Sequence, residues 1–199
     1  MIELYAITDH PGPPLPATLR AVPSGELAAV CAPAGEREVS AEALWRHEEL
    51  VEALMEDRDL LPVRYGTLLQ DEAAAVRALE ERRTDLASAL NRVRGAVELS
   101  LRVFGEKEAE RPETGADYLR AKARSARTVR ELHEPLAELA RASAERPPHA
   151  ENELLRAAYL VNREAVPSFV ERVAALQQAR PELSLLCTGP WPPYSFAAG

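Results

Sequence analysis

Hydrophobic and polar positions alternate with period two from Ile2 to Thr8, which predicts a first strand with one buried face. Pro11-Gly12-Pro13-Pro14-Leu15-Pro16 forbids regular structure and predicts a loop. Leu27 to Ala32 is an apolar run bounded by Gly25 and Pro33, the pattern of a buried second strand. Ser40 is placed to cap a helix reaching about Arg58, whose apolar face carries Leu44, Val51, Leu54 and Met55. Ala43 stands where a full capping box has Glu or Gln. Leu60 to Tyr65 predicts a strand, and Pro62 puts it at a sheet edge or a bulge. Asp71 to about Asn91 reads as helical with a break near Thr84, and Val76, Leu79, Leu86 and Leu90 point inward.

The second half opens on the clearest alternation in the chain. Val97, Leu99, Leu101 and Val103 alternate with Glu98, Ser100 and Arg102, which predicts a strand with one wet face between Ala96 and Phe104. Gly105-Glu106-Lys107-Glu108 reads as an exposed loop. Thr114 to Glu145 predicts one long helix with Val129, Leu132, Leu136 and Leu139 inward and a kink or break at Pro135. Leu154 to Val161 is apolar on both faces and suits a central strand. Ser168 to Ala179 predicts a further helix after Pro167, and Leu183 to Thr188 a last strand.

This mixed order predicts an α+β fold in two small domains, residues 1–93 and 94–199. The second is a ferredoxin-like variant with a long helix and a docked C-terminal strap. At 199 residues each half is near the size where a single core is marginal.

Composition narrows the function more than the fold. A net charge of −8 argues against nucleic acid, which needs a basic footprint. The N-terminus lacks the basic flank and long apolar core of a signal peptide, and no run approaches a membrane span. The expected location is cytoplasmic. Cys31 and Cys187 sit in apolar runs without metal-ligand spacing and read as buried thiols. No two glycines fall closer than ten residues, so there is no phosphate-cradling loop. His10, His47, His133 and His149 show no zinc spacing, and no cofactor or metal is expected. His47 beside Glu48 and Glu49 is the nearest approach to an acid–base cluster. Its spacing between Leu44 and Val51 equally suits a core histidine with a satisfied hydrogen bond. Gly66, after Arg64 and Tyr65, reads as a turn position with φ above zero.

Two features stand apart from this background. Arg120, Arg124 and Arg127 form a stripe at i, i+4 and i+7, widened by Lys122 and Arg130. On an acidic chain the stripe either pairs with carboxylates inside the fold or docks an acidic partner. The chain then ends on Gly189-Pro190-Trp191-Pro192-Pro193-Tyr194-Ser195-Phe196. Only 5% of the residues are aromatic, yet three of them fall within these last six positions. Proline fixes the backbone there, so the segment reads as an extended strap with Trp191, Tyr194 and Phe196 buried against the fold.

The ending resembles the gas vesicle GvpL/GvpF family, and so do other stretches spread along the chain in order. These are Leu4-Tyr5-Ala6-Ile7, Arg46-His47-Glu48, Leu61-Pro62-Val63-Arg64-Tyr65-Gly66-Thr67, Val97-Glu98-Leu99, Asp117-Tyr118-Leu119 and Tyr159-Leu160-Val161. The resemblance implies two domains, the second related to a ferredoxin fold. It implies a non-enzymatic minor structural or assembly component of gas vesicles. Its implied partners are the main shell protein, expected to be small and apolar, and other assembly proteins. Two alternatives accompany it. One is a chaperone-like adaptor absent from the finished vesicle, and the other an enzyme using His47 and Glu48.

Overall fold

The computed structural model describes residues 1–35, 40–105, 114–150 and 152–197. The expected loop at Glu106, Lys107 and Glu108 lies outside the described residues. The chain forms two compact units, Met1–Ala96 with Trp191–Gly199, and Val97–Pro190.

In the first unit, strands β1 (Ile2–Asp9), β2 (Arg20–Ser24) and β3 (Leu27–Pro33) precede helix α1 (Ala41–Met55). Then come β4 (Leu60–Pro62), β5 (Leu68–Leu69), α2 (Glu72–Glu81) and α3 (Arg83–Val93). The sheet runs β2-β3-β1-β4, and β5 also pairs with β1. Along β1 every second residue is buried, as its alternation requires. One edge of β1 pairs with β3; the other is shared by β4 at Ala6–Thr8 and β5 at Ile2–Glu3. Pro62 lies in β4 at the end of the strand order, where a missing N–H costs nothing. β2 was not legible in the sequence. It carries Pro23 and buries only Val22 and Ser24, so it shows almost no pattern and is held by antiparallel pairing to β3.

Helix starts follow their caps. The Ser40 hydroxyl accepts from Ala43 N–H at 3.1 Å, and the Asp71 carboxylate from Ala74 N–H at 2.8 Å. The expected break in the later helix falls at Arg82, between α2 and α3. α1 stops at Met55, three residues early, and Leu44 is exposed instead of facing inward.

The second unit contains β6 (Ala96–Phe104), α4 (Gly115–Ala137), β7 (Ala142–Glu145), β8 (Glu153–Asn162), α5 (Val166–Ala179) and β9 (Ser184–Trp191). This βαββαβ order is the ferredoxin-like motif, and the strands lie in the order β7-β8-β6-β9. β8 is central and β7 is an edge. The long helix is shorter than expected. Pro135 cannot donate to the carbonyl one turn back and crowds it, and α4 ends two residues later. Ala142–Glu145 has helical propensity, yet it pairs antiparallel with Ala157–Leu160 of β8. Tertiary pairing overrides local propensity here. Leu139 therefore leaves the helical face and is exposed, whereas Leu132 and Leu136 are buried.

The core of this unit joins Leu99, Leu101 and Val103 to Leu132, Leu136, Tyr159 and Phe169. Burial pushes the Tyr159 phenol well above its ordinary range, and its hydroxyl sits 2.8 Å from His133 Nδ1. The far face of β6 is not uniformly wet, since Glu98 is buried while Ser100 and Arg102 are half-buried. Arg102 Nε donates to Glu153 Oε1 at 2.7 Å, and His149 N–H donates to the other carboxylate oxygen at 2.6 Å. These two bonds, the Arg102 one first, hold the Glu153 carboxyl below its usual range.

A depressed folded-state pKa gives stability that is present above the unfolded value and is lost as pH falls through the folded one. Glu153→Gln is therefore expected to destabilise the protein at neutral pH. The gap from wild type should narrow as pH falls below about 4, where the unfolded carboxyl is already protonated, and close at the lower pH where the folded carboxyl takes up its proton. Urea denaturation at several pH values measures this; a gap independent of pH contradicts it.

Candidate functional site

Three features were singled out as chemically suggestive: His47, the C-terminal strap and the arginine stripe. His47, Val51 and Leu54 recur at i, i+4 and i+7 on α1, so the imidazole enters the buried face of that helix. It is only 2% exposed. The alternation of β1 puts Glu3 and Tyr5 on one face, and the Tyr5 ring stacks on the imidazole at 4.7 Å between centroids. Tyr65 meets it edge-on at 5.6 Å.

The segment from Leu61 to Thr67 runs back along β1. Val63 N–H donates to Tyr5 C=O at 2.9 Å, and Leu4 N–H donates to Thr67 C=O at 3.0 Å. Gly66 takes φ 77° in the turn between them, as its sequence setting suggested. His47 Nε2 lies 2.8 Å from the Val63 carbonyl, which can only accept, so Nε2 carries the proton. Nδ1 then faces Glu3 Oε1 at 3.4 Å. Nδ1 is a buried nitrogen without a hydrogen bond among the described residues. Burial, reinforced by the charge of Glu3, pushes the Tyr5 phenol up to about 12, so it stays a neutral donor.

Glu48 does not join this cluster. Its carboxylate accepts from the Tyr194 hydroxyl at 3.2 Å, which ties the strap to α1. Burial first, and then Glu48, pushes the Tyr194 phenol above its ordinary range. Arg92, at the end of α3, donates to the Phe196 carbonyl at 3.0 Å. Gly189 enters the strap at φ 120°, a backbone value that L side chains rarely adopt. Pro192, Pro193 and Phe196 are buried, and Tyr194 is half-buried. The expectation of three buried rings holds at Phe196, 7% exposed, and fails at Trp191, 39% exposed. Trp191 ends β9 in a stretch, Gly189 to Trp191, that is exposed throughout, so its indole is not covered as period-two alternation with Leu185 and Cys187 would suggest.

The stripe lies on the part of α4 that buries nothing among its described side chains. Arg120, Arg124 and Arg127 are all exposed. Arg120 pairs with Asp117 at 3.1 Å and Arg127 with Glu131 at 3.5 Å, both within the same helix. Exposed pairs of this kind contribute about 0.2–1 kcal/mol and exchange readily. No group of three or more His, Cys, Asp or Glu able to hold a metal occurs among the described residues. Cys31 is buried as expected, but Cys187 is only half-buried; burial raises both thiols. No helix of the described residues is long and apolar enough to cross a membrane.

The sequence matches the family described as gas vesicle synthesis protein GvpL/GvpF over residues 3–126 and 117–198. The chain belongs to the GvpL/GvpF family. It is 31% identical to gas vesicle protein L of a Streptomyces species, covering 92% of this chain and 80% of that one. It is 25% identical to gas vesicle protein F1 of Halobacterium salinarum, over 71% of this chain and 61% of that one. The crystal structure of GvpF from Anabaena superposes with a TM-score of 0.85 at 19% identity, covering 100% of this chain and 96% of that one, and so shares its fold.

The segments that carried the GvpL/GvpF resemblance have structural jobs. Leu61–Thr67 forms β4 and the turn that encloses His47; Tyr159-Leu160-Val161 lies in central β8; Gly189–Phe196 is the strap. Three partners escaped sequence reasoning. Glu3 and Tyr5 are the outward half of an alternating strand, and nothing in the sequence places α1 over them. Arg92 was one arginine among many.

Phe196→Ala is expected to cost about 3–5 kcal/mol by leaving a cavity beneath the strap. Trp191→Ala should stay within about 1 kcal/mol, as exposed positions do. Urea denaturation followed by circular dichroism separates the two, and equal losses would contradict the assignment of Phe196 as the anchor.

Proposed function

We propose that this chain is a non-enzymatic assembly or minor structural component of gas vesicles that works by binding the main shell protein and other assembly factors. The observation that carries this reading is the exposed arginine stripe of Arg120, Arg124 and Arg127 on a chain of net charge −8 that belongs to the GvpL/GvpF family. Arginine presents a planar fork that pairs with carboxylates, and rim charges set encounter rate and register. The partner face would therefore be acidic.

The His47 cluster supports the non-catalytic half of the proposal. A general base must reach a substrate proton, whereas this imidazole is enclosed by Tyr5, Tyr65 and the Val63 carbonyl. Its role is to fasten α1 to the Leu61–Thr67 turn.

Reversing Arg120, Arg124 and Arg127 to Glu is expected to lower capture of the purified shell protein about tenfold or more and to flatten its salt dependence. The melting temperature should hold, because the three side chains are exposed and the pairs of Arg120 and Arg127 lie within their own helix. Full capture by a folded variant at low salt overturns the docking face. His47→Gln, if folded, should still support gas vesicle formation in a strain lacking the native chain. Loss of vesicles from that folded variant would revive the acid–base alternative.

A further inference from the structure

Helix α1 carries a face that the fold leaves uncovered. Trp45 is 69% exposed, in a chain with two tryptophans. Helical spacing surrounds it with carboxylates. Glu42 and Glu49 lie one turn to either side, and Glu56, exposed like them, continues the same face at the end of the helix. Arg46 is the one cation of this helix and borders the face at i+4 from Glu42. Burial, and then the charges of Glu48 and Glu49, pushes the neighbouring Glu52 carboxyl up. Large exposed aromatics at the centre of such a face are typical anchors of an interface.

The complementary face is on the same sequence. Leu119 is 66% exposed on α4, and Ala123 and Ala126 follow it at i+4 and i+7, all exposed. Arg120, Arg124 and Arg127 flank this small apolar seam on one side, and Lys122 lies on the other. The α4 stripe runs about 12 Å from Leu119 to Arg127, and the α1 face runs about 21 Å from Glu42 to Glu56, long enough to receive it. One has an aromatic centre with an acidic surround, and the other an apolar seam with a basic surround.

We infer that a second copy of this chain is a partner of the α4 face: the Leu119–Arg127 stripe of one copy docks on the Trp45 face of α1 in another. This rests on the reading of α4 as a docking face and names an occupant for it. A contact of two short helices is small, so the association is weak, reversible and salt-sensitive. Small residues in the α4 seam allow close approach to the Trp45 ring, and neighbouring arginines suit its π face.

Sedimentation velocity of the full chain tests this. At low salt the mean sedimentation coefficient should rise with protein concentration, and at high salt it should stay at the monomer value. Trp45→Ala, and separately the triple Arg120, Arg124 and Arg127→Glu, should remain monomeric at low salt with unchanged melting curves. Converting Glu42, Glu49 and Glu56 to Arg should also abolish self-association, and mixing that variant with the Arg→Glu triple should restore it. A wild type that stays monomeric at low salt overturns the proposal, as does a Trp45→Ala variant that associates like wild type. The two readings fail separately. Trp45→Ala leaves α4 intact and should still capture the shell protein. Loss of shell capture in the Arg→Glu triple alongside a monomeric wild type would end this proposal while keeping the earlier one.

Discussion

The structure depends on the return of its C-terminus. The last nine residues belong with the first 96, so the unit Val97–Pro190 is an insertion in the chain between two parts of one fold. Three contacts secure the return: Phe196 in the core, the Tyr194 hydroxyl on Glu48, and the Arg92 guanidinium on the Phe196 carbonyl. Burying one such ring is worth about 2–3 kcal/mol by area, comparable with a sizeable fraction of the stability of a domain this small. The two hydrogen bonds add direction: they attach the strap to α1 and α3, the two helices nearest to the ends of the first unit's sequence. Packing accounts for Phe196, Tyr194 and the two prolines between Trp191 and Tyr194, though not for the exposed Trp191.

The same economy runs through the His47 cluster. Glu3, Tyr5, His47 and Tyr65 have the residue types of an acid–base centre, but their geometry spends them on one another. The imidazole proton goes to a backbone carbonyl, and the aromatic rings close over it. Among the described residues, two exposed helical faces carry opposite charge, the Trp45 face of α1 and the basic half of α4.

Much of this was legible in the sequence, and the failures have physical causes. Alternation gave β1 and β6, the Ser40 cap gave the start of α1, and Pro62 and Pro135 marked an edge and a helix end. β7 was missed because Ala142–Glu145 has helical propensity and becomes a strand only through pairing with β8. β2 was missed because an edge strand with one apolar inward residue has no periodicity to detect. Leu44, Leu139 and Trp191 were placed inward from spacing or composition, yet each is exposed. Spacing fixes a face of an element; only the neighbouring elements decide whether that face is covered. The surroundings of His47 were invisible for the same reason, since Glu3 is 44 positions away in the chain and arrives only when β1 pairs with the Leu61–Thr67 segment.

Hydrogen exchange on a chain ending at Pro190 tests the return of the C-terminus most directly. Without the strap, amides of α1 and α3 should lose protection, because Glu48 and Arg92 lose their partners and the site of Phe196 opens to water. Amides of β6 and β8 in the inserted unit should keep theirs. Unchanged protection in α1 and α3 would contradict the account.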